Sequence, residues 1–245
     1  MRCIRLYNEL KKRKKFVKIY IDKKYDFMKN FIFDYSEIYP KTKFTNQNHD
    51  TNKFIEKILN EYKKNEKKIV IKDDYRLKFL WEKKIVKKLK SRMVVFDDFD
   101  NSNHFADLII NPKTKFIEYD KPIVNSVEGK KTKFLLGPKY SLVEKIKKNP
   151  KFKKFTVVVN FGGSKKINYI KSILHSISKS NENIDFIFIL SPIFRLKLKV
   201  KRKKNIKFIN DSFDLQNIYS KSHLFLGAAG TSVYEVSAQK IPGIF

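Results

Sequence analysis

Residues 227–235 read GAAGTSVYE and follow a short apolar run, His223-Leu224-Phe225-Leu226. The order predicts a strand, a glycine-bearing turn and a helix start. Gly227 and Gly230 lack a Cβ, which lets a ligand approach the backbone closely. A helix beginning near Thr231 aims N–H groups and the positive end of its dipole at such a ligand, a setting that suits phosphate. Glu235 lies four residues past Thr231, on the same helix face and about 6 Å further along the axis. That spacing would put phosphate on the turn and a sugar hydroxyl on the carboxylate. A structural reading stands beside it: Ser232 to Glu235 fits S-x-x-E, a capping box in which Glu235 only closes the helix start. On sequence alone both remain open.

A second glycine turn, Gly162-Gly163-Ser164, also follows an apolar run (TVVVNF, 156–161) and opens a helical pattern. Two such turns on neighbouring strands would hold one pyrophosphate from two sides. In the first half of the chain, Asp73, Asp74, Tyr75, Asp97 and Asp98 follow strand patterns. Ligands gather at the carboxyl ends of parallel strands. An Asp at a strand end also makes an Asx turn or a helix cap, which for any single one of these is the simpler reading. His104 is isolated, with no metal-ligand spacing around it, and reads as structural. No P-loop, CxxC pair, HExxH, GxSxG or internal repeat occurs, and neither a metal site nor a cofactor is predicted.

The elements that must position these residues alternate. Helical spacing covers residues 1–14 (Ile4, Leu6, Tyr7, Leu10) and 52–62 (Phe54, Ile55, Ile58, Leu59 on one side), with FVKIYI at 16–21 a strand candidate. Then come a strand at 68–71, a polar turn at 72–75, a helix at 77–89 and a strand at 92–96. Short strands follow at 108–110 and 134–137. A basic stretch with Pro150 reads as a crossover. The second series has strands at 156–161, 184–190, 206–209 and 223–226, helices up to about 178 and at 214–220, and a last strand starting at 241. A short Leu/Lys alternation at 196–200 is an edge strand or a solvated extension. Strands alternating with helices imply parallel α/β sheets. The expected division is an N-terminal domain at 1–140, a linker at 141–153 and a C-terminal domain at 154–245.

Composition narrows the setting. The chain has 245 residues, 42% hydrophobic, enough for a substantial core. Its single cysteine, Cys3, leaves no internal disulfide and fits a reducing compartment. No apolar stretch approaches the roughly 18 residues of a membrane helix, and the first residues lack a signal-peptide apolar region. These features predict a cytoplasmic protein without a transmembrane segment. The net charge is +30. The excess is Lys rather than Arg and is dispersed along the chain, unlike the concentrated, Arg-using surface of a dedicated nucleic-acid binder. No specific nucleic-acid partner is predicted; weak salt-sensitive binding follows from the charge itself.

Several stretches together resemble the UDP-sugar hydrolase of the pseudaminic acid pathway: KDDY with Leu77 and Trp81-Glu82, VVFDDF with residues 104–108, LLGPKYSL, NFGGS and GAAGTSVYE, in that family's order over about residues 69–245. The resemblance implies two Rossmann-like domains in a GT-B arrangement and cleavage of a UDP-linked diacetamido-trideoxyhexose by water at the anomeric carbon. It places Gly162, Gly163 and Ser164 on one side of the diphosphate, Gly230 and Thr231 on the other, and Glu235 on the ribose. Tyr75 falls on the sugar side, as the one catalytic position matched, and Tyr140 in the interdomain segment. Asp74 stands where the family has His. Met1-Arg2-Cys3 matches only the end of the family's G-x-G-H-x-x-R-C, so its general-base His would lie two residues before Met1. The first strand and the C-terminal elements of that fold are therefore expected to be missing, with low activity in the chain as it stands. The alternatives are a GT-B glycosyltransferase using the same UDP pocket and a non-catalytic binder of nucleotide or nucleic acid.

Overall fold

A computed structural model describes residues 2–20, 38–39, 47–62, 66–99, 103–113, 131–143, 149–162, 167–179, 183–190, 204–210 and 215–245. Two compact units divide between Leu142 and Val143. No helix among the described residues is long and apolar enough to cross a membrane.

Unit 1 contains α1 (Arg2–Lys12), β1 (Ile19–Tyr20), β2 (Ile38–Tyr39), α2 (Gln47–Glu61), β3 (Ile69–Lys72), α3 (Phe79–Leu89), β4 (Arg92–Phe96), β5 (Leu108–Asn111) and β6 (Lys133–Leu136). Its main sheet is parallel, in the order β3-β4-β5-β6. The α3 stripe Trp81, Ile85, Val86 and Leu89 recurs at helical spacing and packs on Met93, Val95 and Ile109 of the sheet. On α2, Phe54, Ile55 and Ile58 join the same core. Leu59, expected on that face, is 43% exposed, while Tyr62 packs against the same core. The predicted six-residue strand at 16–21 reduces to β1, paired in parallel with β2. Phe16 is exposed instead and meets Tyr62 edge-on.

Unit 2 contains β7 (Thr156–Asn160), α4 (Ile167–Lys179), β8 (Asp185–Leu190), β9 (Ile206–Asn210), α5 (Leu215–Lys221), β10 (Leu224–Gly227), α6 (Ser232–Ala238) and β11 (Gly243–Ile244). All pairings are parallel, in the order β11-β10-β7-β8-β9. Every residue of β7 is buried, as a central strand covered on both faces requires. Its alternate side chains serve different cores. Val157 and Val159 pack with Ile170, Leu174 and Ile177 of α4, while Val158 packs with Tyr219 of α5 and Val236 of α6. Helices on both faces make unit 2 a doubly wound sheet. The Leu/Lys stretch at 196–200 lies outside the described residues.

Candidate functional site

The strand order of unit 2 fixes where its polar loops meet. From β7 the chain winds one way to β8 and β9, then returns to the opposite side of β7 for β10 and β11. The winding reverses between β7 and β10, and at such a switch point the two following loops part and leave a crevice at the carboxyl ends. Asn160, the last residue of β7, is in register with Gly227, the last of β10. The turn at Gly162 and the turn reaching Gly230 and Thr231 thus leave adjacent strand ends, about 4.8 Å apart in the pairing direction. Gly163 and Ser164 lie outside the described residues.

The three described glycines of these two strands and turns differ in kind. A Cβ on Gly227 would stand 2.1 Å from the Asn160 carbonyl oxygen and 2.7 Å from the Phe225 ring, so only glycine lets β10 lie this close to β7. Gly162 has φ +64°, in the left-handed region. Gly230 has no such demand: a Cβ there would meet nothing within 4 Å, and the same holds at Gly162. Both loop glycines therefore border open space. Asn160, which the sequence reading passed over, organises the first turn. Its Oδ1 accepts the Gly162 N–H (2.7 Å), and its Nδ2 donates to the Tyr219 hydroxyl (2.7 Å). Asn two residues before a glycine was the available signal, an Asx turn.

On the other wall, α6 starts at Ser232, with Thr231 as its N-cap residue in αR conformation and no side-chain capping bond. Ser232 is therefore not the cap residue that the S-x-x-E pattern expects. Ser232 sits inside the helix, and its hydroxyl donates weakly back to the Ala228 carbonyl at 3.4 Å. Glu235 is buried, in the first turn.

Unit 1 carries a separate polar cluster at the carboxyl edge of its own sheet. Arg2, in the first turn of α1, grips Asp73 with Nε (2.9 Å) and Nη2 (2.6 Å), a two-point fork, and donates from Nη1 to Asp98 (2.7 Å). Its guanidinium lies 4.6 Å from the centre of the Phe96 ring. The Tyr75 hydroxyl accepts from Arg2 Nη2 (2.9 Å) and donates to Asp98 Oδ2 (2.7 Å). Asp73 follows β3 and Asp98 follows β4, so the pairing of those strands brings them together. The two aspartates not on Arg2 make local turns: Asp74 accepts the Arg76 N–H, Asp97 the Phe99 N–H.

Burial works against the charge on Arg2, but its hydrogen bonds to Asp73 and Asp98 outweigh that and hold the guanidinium ionised. Burial, with the Asp98 hydrogen bond next, raises the Tyr75 hydroxyl further above neutrality. Tyr75 therefore keeps its proton and acts as a donor, not as a base. The Cys3 thiol is pushed up to about 12 by burial, then by the Asp73 charge. It is no nucleophile near neutral pH.

Behind this cluster, Lys72 is not in a polar turn as expected; it ends β3 with its side chain buried. Lys72 meets Glu82 at 2.6 Å, and Glu82 meets His104. His104 is thus buried among charged partners, not isolated. Among the described residues, no group of three or more His, Cys, Asp or Glu is placed to hold a metal ion.

Comparison with solved structures agrees with this architecture. A protein assigned as a UDP-N-acetylglucosamine 2-epimerase from Listeria monocytogenes aligns with 99% of this chain and 73% of its own, at TM-score 0.60 and 16% identity. The glycosyltransferase of kitacinnamycin aligns with 98% of this chain and 75% of its own, at TM-score 0.59 and 10% identity. The fold is of the GT-B glycosyltransferase type. A weaker likeness joins 81% of the chain to 58% of the spinosyn rhamnosyltransferase SpnG, at TM-score 0.47 and 12% identity, so the chain spans less than two thirds of that protein. No protein-family model and no curated protein matches the chain. At these identities the likeness with GT-B proteins is one of fold.

Proposed function

We propose that the chain binds a UDP-sugar through unit 2 and, as its sequence resemblance implies, belongs to the chemistry that cleaves a UDP-linked diacetamido-trideoxyhexose with water in pseudaminic acid biosynthesis. One observation carries the nucleotide assignment: two glycine-bearing turns leave adjacent strands at the switch point of a doubly wound sheet, and both loop glycines border open space. In this reading Gly162, Gly163 and Ser164 line one side of the diphosphate, Gly230 and Thr231 the other, and Glu235 accepts the ribose hydroxyls. Backbone N–H groups of the turns and the chain's positive field meet the diphosphate charge. The sugar chemistry is assigned to unit 1, where the Tyr75 hydroxyl is held between Arg2 and Asp98. The lone cysteine supports a cytoplasmic setting.

Calorimetry with UDP tests the assignment. Glu235→Ala should weaken UDP by about 10- to 100-fold, the range expected for losing a hydrogen bond to a charged group worth about 1.5–3 kcal/mol. Equal affinity in both proteins would remove the role given to Glu235. A GT-B glycosyltransferase using the same pocket is the second reading, compatible with the fold. It is told apart by whether UDP release from the UDP-sugar requires an added acceptor.

A further inference from the structure

The buried charges behind the Arg2 cluster are arranged around one imidazole. Glu82, on α3 and fully buried, receives Lys72 Nζ (2.6 Å) and His104 Nδ1 (2.8 Å) on Oε1, and the Phe105 N–H (2.7 Å) on Oε2. Lys72 also donates to the Leu77 carbonyl at 2.7 Å. The other ring nitrogen of His104, Nε2, stands 3.2 Å from Asp97 Oδ2. All four side chains are at least nine-tenths buried.

An ionised carboxylate only accepts hydrogen bonds, so both ring nitrogens of His104 must carry protons to satisfy both neighbours. The geometry thus calls for an imidazolium. Two cations, Lys72 and His104, then balance two anions, Glu82 and Asp97. Removing the His104 proton would leave a bare nitrogen facing a carboxylate and a net negative charge in a buried place, which is costly.

This inner group is joined to the outer one at two points along the chain. Lys72 is followed by Asp73, and Asp97 by Asp98. The inner member of each pair faces Glu82 or His104; the outer member holds Arg2. We propose that His104 is a positioning residue: as an imidazolium bridging Glu82 and Asp97, it fixes where Asp98 sits and so aims the Tyr75 hydroxyl and the Arg2 guanidinium. The significance for the sugar rests on the reading of Tyr75 given above; the coupling does not. Burial opposes the charge on His104, but the bonds to Asp97 and Glu82 prevail and shift its titration upward, with the Lys72 charge acting the other way.

Nuclear magnetic resonance on the ligand-free full chain tests this directly. The ring nitrogens of His104 and the Nε–H of Arg2 are followed across pH 5–9 in wild type and in Glu82→Gln. His104 should be doubly protonated at neutral pH and titrate above the ordinary value of about 6.5. The Arg2 Nε–H signal should inflect at the same pH. In Glu82→Gln both inflections should move down together. A neutral His104 at pH 7, or an Arg2 signal indifferent to the His104 titration, would overturn the proposal, and the wild-type measurement decides it even where the variant does not fold. A merely structural histidine would titrate without moving Arg2. UDP added to the same samples addresses the functional reading separately: failure to bind would sink that reading and leave the coupling result standing.

Discussion

Replacing Gly227 by Ala offers the sharpest test of the switch-point geometry. Its Cβ would lie 2.1 Å from the Asn160 carbonyl oxygen. A carbon–oxygen contact settles at about 3.3 Å or more, so β7 and β10 must part by about 1.2 Å at their last register pair. The Phe225 ring, 2.7 Å from the same Cβ, is fully buried and has no room to swing away. Over-packing of this sort costs about 1–3 kcal/mol, and losing one ladder hydrogen bond adds about 1 kcal/mol. The expected loss is about 2–4 kcal/mol, or roughly 10–25 °C in the melting temperature of a unit of about 100 residues. Gly230→Ala is the internal control. Its Cβ meets nothing within 4 Å, so stability should stay within about 0.5 kcal/mol of wild type. On the proposed reading its methyl group would enter the space given to UDP, and UDP affinity should fall about 10-fold or more, or at least 1.4 kcal/mol. Denaturant unfolding and UDP calorimetry on the two variants read both effects. A Gly227→Ala protein as stable as wild type would refute the close-approach argument. A Gly230→Ala protein that unfolds easily yet binds UDP normally would refute the assignment of the open space to ligand.

Other outcomes follow from single contacts. Asn160→Ala removes the acceptor of the Gly162 N–H and the donor to the buried Tyr219 hydroxyl, so it should cost about 1–3 kcal/mol by denaturant unfolding; Asn160→Asp, which keeps the acceptor, should cost less at the turn. Cys3 should resist a thiol reagent at pH 8 in the folded chain and react at once in denaturant, because burial holds its thiol near 12. The stability of unit 1, followed through its single tryptophan, Trp81, should peak at mildly acidic pH. Burial opposes ionisation of Glu82, but His104 and Lys72 outweigh it and lower its titration, so its contribution is present above about pH 4.3 and lost as pH falls through the depressed value. The contribution of His104 is present below about pH 6.5 and lost as pH rises through its raised value. A stability curve flat from pH 3 to 9 would contradict both.

What the sequence disclosed, and what it withheld, follows from the range of the interactions. The β7 run TVVVN is legible because a central parallel strand is apolar on both faces. The alternation of strands and helices is legible because each element repeats its own local period. The Arg2 cluster is not: Asp73 is 71 residues away and Asp98 is 96, and no spacing rule reaches so far. The inner group lies between these limits. Glu82 falls on the apolar stripe of α3 with Ile85, Val86 and Leu89, and Lys72 falls on the inward alternation of β3 with Val70. A charge in an apolar stripe predicts a buried partner, so Glu82 carried a signal of a polar core, while Lys72, which the strand pattern left in a turn, and the other two members waited for the fold.

The same reasoning bears on the two glycine turns. Read along the chain, GGS at 162 and GAAGT at 227 are two loose motifs, each common in α/β proteins. A parallel sheet sends all its carboxyl ends to one edge, but only the strand order decides which ends are neighbours. β8 leads into Ser191-Pro192 and β9 into Asp211-Ser212, so among these four strands only β7 and β10 are followed by turns carrying glycine. Those two strands are paired, and the winding reverses between them. An arrangement in which glycines serve only local turn geometry would demand left-handed backbone or tight packing at each. Gly162 and Gly227 meet that demand; Gly230 does not, with open space around it and no positive φ. On the proposed reading, the open space at Gly230, beside a pinched strand pair at the switch point, is where a diphosphate would approach the backbone.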